Sequence, residues 1–152
     1  ALSPLDGKPI PFTEYYRLGG PNNLRGFGFR QVGRRKFSTD YYNDLIAVQG
    51  YSPADALQRA NVVIGGRQQL FYMTELEFPL AKEANMRGVI FYDIGQAEDE
   101  LNAANFRSDI GFGIRWFSPM GPLRFEFGFP LDRKSEFLEK SNNFQFAVGS
   151  PF

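Results

Sequence analysis

From Phe106 onward, apolar and polar positions alternate residue by residue. Phe106, Ser108, Ile110, Phe112, Ile114 and Trp116 fall on one side of the alternation. Arg107, Asp109, Gly111, Gly113, Arg115 and Phe117 fall on the other. In Pro122–Leu131 the set Leu123, Phe125, Phe127, Phe129 and Leu131 opposes Pro122, Arg124, Glu126, Gly128 and Pro130. The tail repeats the pattern: Phe144, Phe146, Val148, Ser150 and Phe152 oppose Asn143, Gln145, Ala147 and Gly149. Successive side chains of a strand point to opposite faces, so each segment predicts a strand with one greasy face and one small or charged face. Two settings fit such strands. In a soluble sandwich the greasy face meets a second sheet and the charged face meets bulk water. In an outer-membrane barrel the greasy face meets lipid and the charged face meets a wet lumen. A chain that stops on phenylalanine favours the second setting, where a terminal ring can join the interfacial aromatic girdle.

The pattern predicts five strands, near residues 68–79, 86–95, 105–117, 122–131 and 142–150. The third and fourth are joined by the tight Ser118-Pro119-Met120-Gly121, with Pro and Gly where a turn wants them. Gln96–Ala104 and Asp132–Ser141 are longer and more polar. Short turns at one rim and longer loops at the other match the two ends of an outer-membrane barrel. The N-terminal part is less regular. Pro11–Leu18 reads as the end of a strand, and Gly19 to Gly66 is too long for a plain structureless loop in a compact domain. Within it, Ser52 as a cap and Pro53 at the first helical position predict a short helix over Pro53–Ala60. The expected division is therefore 1–67, a strand end and a long loop with a helix at 53–60, and 68–152, five strands.

Composition narrows the function classes. The chain has 152 residues, with 17 basic and 17 acidic side chains, so no net charge steers it to nucleic acid. It has no cysteine and no histidine, which removes disulfides, thiolate metal sites and the commonest general base. No apolar run approaches the ~20 residues of a spanning helix, whereas a barrel strand needs only ~9–11. The chain opens on Ala1 without a signal peptide and is expected to be a mature or excised piece. No phosphate-binding loop is present, a Ser-His-Asp triad is impossible, and Glu98-Asp99-Glu100 reads as a solvated loop. No enzyme activity, metal site or cofactor is expected.

Two constellations remain. Gly19-Gly20-Pro21-Asn22-Asn23-Leu24-Arg25-Gly26-Phe27 places a lone arginine among glycines in the long loop. Phe91-Tyr92-Asp93-Ile94-Gly95 ends a strand, with Asp93 on the parity of Arg87, Val89 and Phe91. Read alone, these are a flexible loop and a strand-end aspartate. Together, Phe12-Thr13-Glu14, Gly19-Gly20 and Leu24-Arg25-Gly26-Phe27 resemble the sixth extracellular loop of the BamA family of outer-membrane assembly and translocation barrels. Phe91-Tyr92-Asp93-Ile94-Gly95 resembles that family's aromatic-x-Asp-x-Gly strand motif. Gly65-Gly66, Leu76-Glu77-Phe78, Ser118-Pro119-Met120-Gly121-Pro122-Leu123 and the Phe144-Gln145-Phe146 tail follow in the family's order.

The resemblance implies an all-β fold: an antiparallel meander of about five strands from a transmembrane barrel, incomplete here and preceded by a long loop. It implies that the loop folds back into the barrel, where Arg25 meets Asp93, with Gly26 passing close to the wall and Phe27 packing beside it. Glu75, Glu77 and Glu126 are further carboxylates that could join or replace Asp93. It also implies that the last strand, with Phe144, Phe146, Val148 and Phe152, is a recognition signal and one post of a lateral gate. The parent would insert and fold β-barrel proteins in the bacterial outer membrane. Its partners would be outer-membrane lipid, nascent outer-membrane proteins and, through periplasmic domains outside this chain, accessory lipoproteins. Five strands leave two open edges, so the chain alone is expected to self-associate or to need detergent. The alternatives are a two-partner secretion or organelle import pore of the same superfamily, a soluble β-sandwich binding module, and a plain diffusion porin.

Overall fold

The computed structural model of the chain describes residues 10–149. The elements run in chain order as β1 (Arg35–Phe37), α1 (Thr39–Ala47), α2 (Pro53–Arg59), β2 (Asn61–Val63), β3 (Gln68–Ala81), β4 (Met86–Glu98), β5 (Arg107–Ser118), β6 (Gly121–Pro130) and β7 (Asn143–Val148). β3 to β7 form one five-stranded antiparallel meander in sequence order, and β1 pairs with β2 in a separate small sheet. The meander does not close: among the described residues β3 and β7 are its two edges. Pro79 lies in the edge strand β3, beside an irregularity in the β3–β4 register, where a missing N–H is tolerated.

The alternation sets the faces. On one face Ile90, Tyr92, Ile110, Phe112, Ile114, Phe127, Phe129, Phe144, Phe146 and Val148 are all exposed. The rings pair across strands, Phe112 with Phe127 at 5.9 Å and Phe127 with Phe144 at 4.8 Å between centroids. Among the described residues no second layer covers them. On the other face Asp93, Asp109, Arg115, Arg124 and Glu126 are buried. Charged side chains inside and phenylalanines outside invert the order of a water-soluble sandwich.

What buries the charged face is the N-terminal segment. Residues 18–32 form a compact excursion closed by an antiparallel bridge between Leu18 and Val32. Leu18, Leu24, Phe27 and Val32 cluster with Ala97 of β4. Gly95 leaves the room: a side-chain carbon there would meet Phe71, Leu18 and Leu24 within 3.0 Å.

Several expectations change. The predicted strand end over Pro11–Leu18 is instead a 3-10 turn at Phe12–Glu14 followed by single bridges of Tyr16 to Gly66 and Leu18 to Val32. Backbone committed to isolated bridges on two different partners cannot also run as a ladder. The long loop holds two helices rather than one. α1 is capped by Ser38, whose hydroxyl accepts from the Tyr41 N–H, and α2 ends at Arg59 with Ser52 accepting from the Asp55 N–H. Leu45 of α1 packs on Ala56 and Ala60, so the two short helices bury each other. β4 continues to Glu98 because β3 begins opposite it at Gln68. The last strand covers Asn143–Val148 rather than 142–150. Gly149 takes φ +71° while its N–H still donates to the Pro122 carbonyl oxygen at 2.9 Å, and Phe152 lies outside the described residues.

Candidate functional site

The inner face of the sheet is organised in rows that run across the strands. One row is Met73, Asp93, Asp109 and Pro130; the next is Glu75, Phe91, Gly111, Gly128 and Asn143. A third is Glu77, Val89, Gly113, Glu126 and Gln145, and a fourth is Pro79, Arg87, Arg115, Arg124 and Ala147. Like charges directly opposite each other are unfavourable. The arginine row offsets this by reaching into the acidic row beside it. Arg115 pairs with Glu75 at 2.6 Å, with Glu77, and with Glu126 at 3.6 Å, and Arg87 pairs with Glu77 at 3.1 Å.

Arg25 enters this wall from the loop. Its side chain is 1% exposed. The guanidinium grips Asp93 as a fork, Nε donating to Oδ2 and Nη2 to Oδ1, both at 2.8 Å. The Arg25 backbone N–H adds a bond to Oδ2 at 3.2 Å. Nη1 donates to Glu75 at 2.9 Å and to Glu126 at 3.2 Å. Below it the Phe91 ring lies 3.7 Å from the guanidinium carbon. Burial alone would lower the Arg25 pKa, but the hydrogen bonds and charge of Asp93, with those of Glu75 and Glu126, raise it overall. The guanidinium is therefore held charged, in a bidentate geometry that a lysine ammonium cannot reproduce.

Backbone shape makes the seat. Gly111 and Gly128 face each other in the same row as Phe91. Gly111 leaves room for the Phe91 ring, and Gly128 leaves a notch in which the Arg25-Gly26 backbone lies. A side-chain carbon on Gly128 would stand 2.5 Å from the Gly26 Cα and 2.8 Å from the Arg25 carbonyl carbon. One on Gly26 would overlap the Cβ of Asp109. Both glycines are required by close approach of backbone to wall. The loop itself is fixed by Asn23, whose side-chain oxygen accepts from the N–H groups of Gly19 at 2.6 Å and Leu24 at 2.8 Å. Gly19 and Gly20 take φ values of +107° and +117°, which L side chains rarely adopt. Phe27 is buried beside the Arg107 guanidinium, 4.9 Å from its ring centroid.

The structure thus brings Arg25, Gly26, Phe27 and Asp93 together. Of the further carboxylates, Glu75 and Glu126 join the arginine, whereas Glu77 turns to Arg115 and Arg87. Phe144, Phe146 and Val148 stand apart on the outer face of β7. Sequence reading missed Phe91 as the platform for the guanidinium, Gly128 as the notch, and Arg115 and Arg87 as the cations that hold Glu75, Glu77 and Glu126. The signal for the notch was in the sequence, as glycines recurring on the charged parity of β5 and β6. Their juxtaposition depends on strand register. The chemistry of the site is that of a latch: a buried cation held by several carboxylates inside a polar wall.

Residues 2–152 match the model of the Omp85 superfamily domain. The outer membrane protein assembly factor BamA of Nitratidesulfovibrio vulgaris is 28% identical over 160 residues, covering 95% of this chain and 20% of that protein. BamA of Neisseria meningitidis serogroup B is 26% identical over 175 residues, covering 95% of this chain and 19% of that protein. The crystal structure of BamA from Haemophilus ducreyi lacking POTRA domains 1-3 superposes with a TM-score of 0.68 at 25% identity, over 93% of this chain and 28% of that one. The chain spans about a fifth of the length of the curated relatives it matches.

Proposed function

This chain belongs to the Omp85 superfamily, and we propose on that premise that it is the C-terminal wall of a bacterial outer-membrane barrel that inserts and folds other β-barrel proteins. The exposed phenylalanine face lies against lipid, and the charged face lines the interior. The observation that carries the reading is the Arg25 fork on Asp93, sealed in that interior by residues 18–32. In a soluble binding module or a plain diffusion pore the match of the Arg25 loop and the Asp93 strand motif to the assembly family would be a coincidence.

β7 is the working edge. Its outward rings face lipid, and its side left without a strand partner among the described residues offers N–H and C=O groups, the template on which an incoming strand can add. In the intact parent it would meet the first strand of the barrel as a lateral gate, and substrate strands would enter there. The latch residues hold the interior in shape while that edge changes partners. Nascent outer-membrane proteins are the partners at the edge, and accessory lipoproteins bind periplasmic domains outside this chain. The work is exchange of hydrogen bonds and transfer of apolar surface, which needs no nucleotide. In isolation the chain would pair with copies of itself through β3 and β7.

The test is to reconstitute the full-length gene product in lipid vesicles and follow the folding of an added unfolded outer-membrane protein by protease protection. The vesicles carrying it should fold the substrate faster than empty vesicles. Equal rates, together with passage of an unfolded secreted protein across the same vesicles, would replace assembly by translocation.

A further inference from the structure

β7 carries different chemistry on its two faces. Its outward positions are apolar, but its inward positions Asn143 and Gln145 are carboxamides aimed at the loop. Asn143 Nδ2 donates to the carbonyl oxygen of Phe27 at 2.8 Å and to that of Arg25 at 3.1 Å. Gln145 Nε2 reaches the same two carbonyls, both at 3.4 Å. Two donors from alternate positions of one strand thus converge on two carbonyls that flank Gly26. This contact is separate from the Arg25–Asp93 latch, which engages β4 through the side chain.

We infer that Asn143 and Gln145 are positioning residues that tie the seated loop to the last strand, so that loop seating and the pairing of β7 are coupled. The inference rests on the reading above only in taking β7 as the gate strand. Its physical basis is parity. A slip of β7 by one residue turns every inward side chain outward. Both carboxamides would swing away from the lumen, Phe144 and Phe146 would swing in, and the Arg25 and Phe27 carbonyls would lose their donors. β7 is short, Asn143–Val148, and its registered partner is β6 on one side alone among the described residues. The loop therefore supplies a restraint on the strand that is otherwise the easiest to displace. Conversely, a strand that displaces β7 loosens the loop from its carbonyl side.

The experiment uses the full-length protein in lipid vesicles without substrate, and measures hydrogen exchange of the β7 amides and of residues 24–27. The variant is Asn143→Asp with Gln145→Glu. It keeps side-chain shape and strand pairing but replaces both donors by acceptors facing carbonyl oxygens. Exchange should rise roughly tenfold in the loop and in β7 together, as expected for losing a small set of hydrogen bonds. Arg25→Ala, which acts from the other side of the loop, should also speed exchange in β7. Wild-type exchange in both segments of the isosteric variant would overturn the inference. So would Arg25→Ala freeing the loop with β7 unchanged. Failure of the vesicle folding assay beside coupled exchange would contradict the functional reading and leave the coupling standing.

Discussion

Replacing Arg25 with alanine should release the loop from the barrel interior and destabilise its seat by about 3–5 kcal/mol, the usual cost of removing one member of a buried charge pair. The magnitude follows from what is left behind. Asp93 and Glu126 are both fully buried. Asp109, directly across from Asp93 in the register, is also fully buried and lies beside Asp93 rather than beside a wall arginine. The wall therefore holds more negative charge than its own arginines sit against, and Arg25 is the cation that balances the side nearest the loop. Without it the carboxylates must take up water or protons, which the seated loop excludes, so the loop is driven from its seat. Protease cleavage within residues 18–32 of the membrane-embedded full-length protein reads the seat directly. The alanine variant should be cut rapidly and should fold substrates poorly. Arg25→Lys should fall between, since it restores charge but not the two-bond fork on Asp93. An alanine variant with wild-type resistance and activity would make the latch unimportant.

The second large effect needs no change of charge. Gly128→Val places a branched side chain in the notch, where its first carbon already stands 2.5 Å from the Gly26 Cα. The obstacle is backbone on both sides, and the loop backbone is held by its own bonds to Asp93, Asn143 and Gln145. Overpacking of this kind costs about 1–3 kcal/mol or more. Valine is a better strand residue than glycine, so β6 itself should gain rather than lose. The expected result is a protein with its barrel intact and its loop expelled, cut by protease as readily as Arg25→Ala. Because both variants break one seat, the double variant should be scarcely worse than either alone. Additive losses would show that glycine and arginine act separately.

The strands and the sense of their faces were legible because a period of two is written directly into β5, β6 and β7, where large apolar residues alternate with small, polar or charged ones. β4 was harder. Phe91 sits on the charged parity, and only the guanidinium above its ring explains an aromatic residue there. The pairing of Arg25 with Asp93, 68 residues apart, came from likeness to a family and not from spacing. The rows were illegible for a physical reason: which residue stands opposite which depends on turn geometry and bulges, and a slip of one residue rewrites every row. Gly128 as a notch and Asn143 as a clamp both belong to a row and could not be read without it. α1 went unread because its helix signal is local, the Ser38 cap and Asp40 in the first turn, and its stabilising partner is a second short helix with an equally brief pattern.

In the proposed barrel wall the phenylalanine side of the sheet faces hydrocarbon and the charged side faces a filled, aqueous interior. The chain contains no cysteine, so single cysteines placed in turn at positions 123 to 127 and at 129 of β6 introduce unique sites for a spin label within it. In membranes carrying the full-length protein, labels at Leu123, Phe125, Phe127 and Phe129 should collide freely with lipid-dissolved oxygen, and labels at Arg124 and Glu126 should be shielded from it. Oxygen contact without this two-residue period, or with the opposite phase, would contradict the account.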